Sequence, residues 1–310
     1  MSKLFHYGAS TLYLADCFEW MRDQPPNTIH GVVTDPPYGL KEFSVDEQQR
    51  LRAGNGAPGY GGVWRIPPTL DGSTRSPLPR FTILSSHELE VLRRFFSAWA
   101  ECLLPILTPG AHVLVAANPL LAHHVATSLD RAGLEPRGQI IRLTQTLRGG
   151  DRPKGAEQEF PDVTVMPKSA WEPWVLFRKP ISEGTVAANL RKWRTGGLRR
   201  ISDAEPFRDV IPSSPTRSGE RDLAPHPSLK PQAFLREVVR AILPLGEGMV
   251  LDPFAGSGST LAAATAVGYS SIGVEMDLYF YEMATRSIGS LSKLALNGAF
   301  RPDQPALDLH

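Results

Sequence analysis

The stretch Asp252-Pro253-Phe254-Ala255-Gly256-Ser257-Gly258-Ser259-Thr260 decides the fold. An apolar run from Met249 to Leu251 leads into it, and Leu261 to Val267 follows as a helix. A strand turning through glycines into a helix opens a βαβ unit, because glycine permits the tight turn and lets a ligand approach the backbone. A strand over Ser271 to Val274 comes next, closed by Glu275, and then a helix over Tyr279 to Ser287. A helix over Gln232 to Leu243 precedes the turn. This alternation predicts an α/β protein with a mostly parallel sheet.

The turn also narrows its ligand. A nucleotide phosphate loop needs a lysine after the glycines, and none follows. A dinucleotide turn wants a third glycine near position 261, which is Leu261. Asp252 adds negative charge and disfavours a diphosphate. Glu275, 17 residues after Gly258, suits a carboxylate gripping ribose hydroxyls. A ligand with a ribose, an amino group and a positive centre fits better, and S-adenosylmethionine has all three.

Far upstream, Thr11 to Ala15 reads as a strand ending at Asp16-Cys17, and Phe18 to Met21 as a brief helix. Ile29 to Thr34 is a buried strand that stops at Asp35-Pro36-Pro37-Tyr38, where proline forces the chain out of the sheet. Open α/β sheets place their sites at such strand ends. The motif suits an exocyclic amine on a nucleobase, whose lone pair is delocalised into the ring. Asp35 can accept one amino hydrogen and a backbone carbonyl of the proline turn the other, which localises the lone pair. Asp35 then opposes the positive charge that develops on the nitrogen. Tyr38 offers a flat face for an extruded base.

The rest of the chain is read more coarsely. Residues 41–80 mix glycine with arginine and form a connection long enough to be functional. Residues 87–180 return to α/β order. Helices are expected over Leu89 to Leu107 and Leu120 to Ala132, and strands over His112 to Ala117, Gln139 to Leu143 and Trp174 to Phe177. Residues 181–225 are poor in aliphatics and are read as a second, irregular region. The division is then a catalytic half (1–180, with a target loop at 41–80), a target-recognition region (181–225), a ligand-binding half (226–296) and a tail (297–310).

Composition excludes several classes. The 310 residues are 42% apolar, and 33 lysines and arginines face 32 acids for a net charge of +1. That is a normal core and no polybasic binder. Two cysteines, Cys17 and Cys102, exclude a disulfide scaffold and a cysteine-based zinc site. No metal is required by the chemistry read here. No apolar run approaches the roughly 18 residues of a membrane span, so a cytoplasmic protein is expected.

The pair Asp-Pro-Pro-Tyr and Asp-Pro-Phe-Ala-Gly-Ser-Gly-Ser-Thr resembles the amino-methyltransferases of DNA, specific for adenine N6 or cytosine N4. The motif order, catalytic first and donor-binding near the C-terminus, is similar to their β group. The resemblance is strong over 11–40 and 226–290, weak over 87–180, and nearly absent elsewhere. It implies a seven-stranded, mostly parallel Rossmann-like sheet with circularly permuted motifs. It also implies that Asp252, Phe254, Gly256 and Gly258 line the methionine part of S-adenosylmethionine, with Glu275 at its ribose, and that Pro253, Ser257, Ser259, Thr260 and His226 belong to the donor site. Asp16 and Cys17 would meet the adenine edge. His226-Pro227-Ser228-Leu229-Lys230-Pro231 resembles the segment before the first donor helix, where Ser228 or Lys230 would contact the donor carboxylate. Neither cysteine has the Pro-Cys setting of ring-carbon cytosine methylases.

Arg191, Lys192, Trp193, Arg194, Arg199 and Arg200 put basic charge around an aromatic with no acid between 191 and 200. Phosphate contacts use such density, so this block is expected to hold double-stranded DNA beside the site. The target base must be flipped out to reach the donor. The expected function is methylation of adenine N6 in DNA. Cytosine N4 is the alternative, and a silent DNA-binding module with this fold is a more distant one. A homodimer and a partner restriction nuclease are left open.

Overall fold

The computed structural model describes residues 3–37, 86–144, 150, 152–226 and 228–296. The 41–80 loop, Tyr38 and the 297–310 tail lie outside the described residues.

Among the described residues nine strands form one sheet. In chain order they are β1 (Leu4–Tyr7), β2 (Ser10–Leu14), β3 (Ile29–Thr34), β4 (Leu107–Ala116), β5 (Glu135–Leu143), β6 (Trp171–Arg178), β7 (Val210–Pro212), β8 (Met249–Asp252) and β9 (Ser270–Glu275). Their spatial order is β1-β2-β9-β8-β3-β4-β6-β5-β7, with β1 and β6 antiparallel to their neighbours. The expected seven strands are the run from β2 to β5. β1 and β7 are additions at the two edges. They escape a sequence reading because they are short: β1 alternates half-buried with exposed residues, and β7 has three residues ending in Pro212.

Eight helices among the described residues cover the sheet: α1 (Cys17–Arg22), α2 (Ser86–Ile106), α3 (Ala122–Arg131), α4 (Val186–Trp193), α5 (Ser218–Leu223), α6 (Gln232–Ile242), α7 (Ser259–Ala266) and α8 (Leu278–Ser292). One face packs α1, α2 and α3 through Trp20, Phe96, Trp99, Leu103 and Leu129 against Val32, Val113 and Val115. The other packs α6 and α7 through Phe234, Leu235, Val238 and Ala263 against Val33, Leu114 and Val250. Strands β3, β4 and β8 are therefore covered on both sides, which is why they read as unbroken apolar runs.

Residues 181–225 are not a separate irregular region. They carry α4, α5 and β7, and β7 extends the main sheet by pairing parallel with β5, Ile141 opposite Val210.

Candidate active site

The two motifs far apart in sequence meet on neighbouring strands. β3 pairs parallel with β8, Val32 opposite Leu251, so Asp35 and Asp252 leave the sheet side by side at its carboxyl end. The join is direct: Thr34 Oγ1 donates to Asp252 Oδ1 at 2.7 Å, and the Phe254 amide reaches the same oxygen at 3.2 Å. Asp252 is buried, and burial lifts its carboxyl to about 6 against these hydrogen bonds. Nearby Asp35 adds to the rise.

The glycine turn is held open from outside. Gln232 Nε2 donates to the Ser259 carbonyl at 2.8 Å, and Ser287 Oγ to the Ser257 carbonyl at 2.7 Å. Gly256 and Gly258 have φ of +50° and +75°, the left-handed region where side chains are strained. A Cβ on Gly258 would lie 2.6 Å from Ile288 of α8, and one on Gly256 would meet the His226 ring at 3.0 Å. A valine at Gly256 would therefore push on His226 and strain the turn itself.

Glu275 ends β9 and closes the turn. Its carboxylate accepts the amides of Gly256 and Asp277, each at 2.8 Å, while burial lifts it to about 7. Asp16 and Cys17 lie beside it, because β2 and β9 end together and the Ala15 amide bonds the Glu275 carbonyl at 3.0 Å. Asp16 caps α1 by accepting from the Phe18 and Glu19 amides. Cys17 is buried and its thiol is pushed up to about 12, chiefly by burial, which leaves no thiolate for covalent chemistry.

One cleft gathers much of the expected set: Asp35, His226, Ser228, Lys230, Asp252, Phe254, Gly256, Ser257, Ser259 and Thr260. Pro36 is buried and Pro37 is exposed. His226 is neutral: burial lowers it to about 4, and its Nδ1 accepts the Ser228 amide at 3.1 Å. Lys230 is not poised solely toward a ligand, since its Nζ pairs with Asp35 at 2.7 Å and Glu172 at 2.9 Å.

Three residues here escape the sequence reading. Trp174 lines the cleft with its indole Nε1 buried and unpartnered among the described residues. Glu172 and Arg142 form an ion pair at 2.8 Å beside Lys230.

The basic block is a correction. α4 is pinned to the amino end of β4, where buried Asn189 donates to the Pro109 carbonyl at 2.8 Å. Ile29, at the amino end of β3, lies beside Leu107. Asp35 follows the other end of β3, roughly 20 Å away at 3.3 Å per residue. The block therefore does not flank the cleft. Acids from elsewhere in the chain also reach it: Glu183 pairs with Lys192 at 2.6 Å, and Glu247 pairs with Arg194. Trp193 donates to Ser182 at 2.8 Å, Arg199 to the Tyr269 hydroxyl at 2.7 Å, and Arg200 to the Ser202 carbonyl at 3.2 Å. Arg191 is exposed.

Comparison with known proteins agrees with this architecture. A family model described as DNA methylase, of the N6/N4 type, matches residues 29–286. Type II methyltransferase M.HindIII of Haemophilus influenzae is 24% identical over 298 residues, covering 90% of this chain and 94% of that protein. DNA adenine methyltransferase YhdJ of Escherichia coli is 41% identical over 63 residues, 20% of this chain and 21% of that one. Among solved structures, PvuII DNA methyltransferase (cytosine-N4-specific) superposes with a TM-score of 0.57 at 15% identity, covering 95% of this chain and 92% of that one. A putative DNA modification methylase from Thermus thermophilus, complexed with S-adenosyl-L-methionine, gives 0.55 at 18% identity, covering 91% and 95%. With the family model spanning both motifs and the sheet between them, the chain belongs to the N6/N4 DNA methylases.

Proposed function

We propose that this protein transfers a methyl group from S-adenosylmethionine to the N6 amino group of adenine in double-stranded DNA. The observation that carries this reading is the union of Asp35 and the glycine turn in one cleft, joined through Thr34 and Asp252. The cleft fits the donor. The Gly256–Gly258 turn is left-handed at both glycines and Gly256 lines the cleft, Trp174 lines it too with an indole N–H that has no partner among the described residues, and the buried Asp252 carboxylate suits a cationic ligand.

Asp252, Phe254 and the glycine turn would hold the methionine portion, Glu275 the ribose, and Asp16 with Cys17 the adenine edge. S-adenosylmethionine supplies an electrophilic methyl group when bound. Asp35 accepts a hydrogen of the target amine, orients its lone pair, and opposes the positive charge that grows on nitrogen. The buried Pro36 anchors the segment that follows Asp35.

Adenine is favoured by aspartate at the first motif position, the more usual residue for that base in the family. The local match to a relative named as a DNA adenine methyltransferase supports it further. The type II designation of M.HindIII supports a place in restriction–modification beside a nuclease. The test is to incubate the protein with duplex DNA and donor, digest to nucleosides and identify the product. N6-methyladenine is expected. N4-methylcytosine would overturn the base assignment alone, and no methylated nucleoside would overturn the reading.

A further inference from the structure

Lys230 is the hub of a buried charge chain. Its ammonium bridges Asp35 Oδ2 at 2.7 Å and Glu172 Oε1 at 2.9 Å. The other oxygen of Glu172 accepts Arg142 at 2.8 Å. Arg142 also donates to Ser213 Oγ at 2.9 Å and to the Ser214 carbonyl at 3.2 Å, just past β7. Two carboxylates, one ammonium and one guanidinium sum to zero. They come from four separate pieces of chain: the end of β3, the approach to α6, β6 and β5.

The cleft's chemistry makes two demands on Asp35 that pull apart. A nearby cation favours its ionised form, which the amine needs. The same cation cancels the field that should oppose charge developing on the amine nitrogen. A lysine shared between two carboxylates meets both demands, because Glu172 takes part of the ammonium's field. Arg142 balances Glu172 from the far side.

We propose that Lys230, Glu172 and Arg142 are positioning residues that keep the Asp35 carboxylate ionised and aimed without neutralising its field. This rests on the reading of Asp35 as the partner of the amine. Burial works against both Lys230 and Glu172. Even so, the two carboxylates hold Lys230 above the ordinary lysine value, and Lys230 and Arg142 hold Glu172 below the ordinary carboxylate value. Among the described residues, Asp252 at the end of β8 and His226, which is neutral beside Lys230, also face this chain.

The test removes one sign of charge at a time. In Lys230→Met, Asp35 loses its cation. In Glu172→Gln, it keeps the whole of it. Because Asp252 lies close by and titrates too, Asp35 is followed by its own carboxyl carbon signal, assigned as the one missing from Asp35→Asn. That titration should move up in Lys230→Met and down in Glu172→Gln, each by about one pH unit or more. The acidic limb of single-turnover methyl transfer at saturating donor should follow in the same directions. The plateau rate of Glu172→Gln should fall at least tenfold, with donor affinity unchanged and partial rescue in Glu172→Asp. Should Lys230→Met fail to fold, Lys230→Gln makes the same comparison. Shifts in one common direction, or none, overturn the relay. Separated titrations in a protein that methylates no DNA would support the relay and overturn the methyl-transfer reading.

Discussion

The two ends of the sheet use charge in opposite ways. At the carboxyl end, Asp252 is buried and Glu275 half-buried, their titrations are lifted to about 6 and about 7, and Lys230 is shared between two carboxylates. At the amino end, the arginines and lysines of 191–200 are mostly surface groups, and most meet acids, hydroxyls or carbonyls of the same chain. Density of charge in sequence is therefore a poor guide to where chemistry happens. A few buried charges with perturbed titration say more than a run of solvated ones.

The sharpest way to break this contrast is Asp35→Asn. It keeps the shape and an acceptor oxygen but removes the countercharge. Methyl transfer in single turnover should fall by about 10²–10³ or more, while calorimetric donor affinity holds. Full activity would remove the special status of the carboxyl end.

A smaller effect concerns pH. With the donor held as proposed, its ribose hydroxyls and cationic centre would prefer ionised carboxylates at Glu275 and Asp252. Donor affinity should weaken as pH falls through about 7 and then about 6, by roughly tenfold per unit for each group fully engaged. Calorimetry at several pH values in two buffers should show proton release on binding within that window. The same burial acts on the donor-free fold with the opposite sign. A carboxyl raised from 4.5 to about 7 makes stability fall as pH climbs across that interval, on the order of 3 kcal/mol for Glu275. Glu275→Gln should flatten that slope in chemical denaturation.

The smallest effects belong to the amino end. Changing Arg191, Lys192, Arg194 and Arg200 to serine should leave duplex affinity and its salt slope nearly unchanged, because these residues lie away from the cleft. Arg199→Ser should cost about 1 kcal/mol of stability through the lost bond to Tyr269, with methyl transfer intact. A flattened salt slope in the fourfold variant would restore DNA to this end.

Local pattern made much of the fold legible. β3 and β9 fall within a residue of their expected bounds, because buried strands framed by a turn are unambiguous. The glycine turn and Asp35 were legible because backbone conformation and strand ends leave a local trace. Glu172, Arg142 and Trp174 were not. Their importance depends on β5 and β6 bringing separated segments together, and no spacing in the chain encodes that. The misplaced basic block failed for the same reason. Glu183 and Glu247 lie outside the 191–200 window and reach it only through the fold.

The insertion of β8 between β9 and β3 has a consequence for biosynthesis. β3 is made early, but its neighbour Val250 follows Asp35 by 215 residues. At ribosomal speeds of about 5–20 residues per second, that interval is roughly 10–40 s. During it, the β3 edge stands unpaired, open to wrong strands or to a chaperone. No prematurely ended chain can complete the cleft, so a truncated product is catalytically silent, and a cell acquires modified DNA only from chains finished through Glu275.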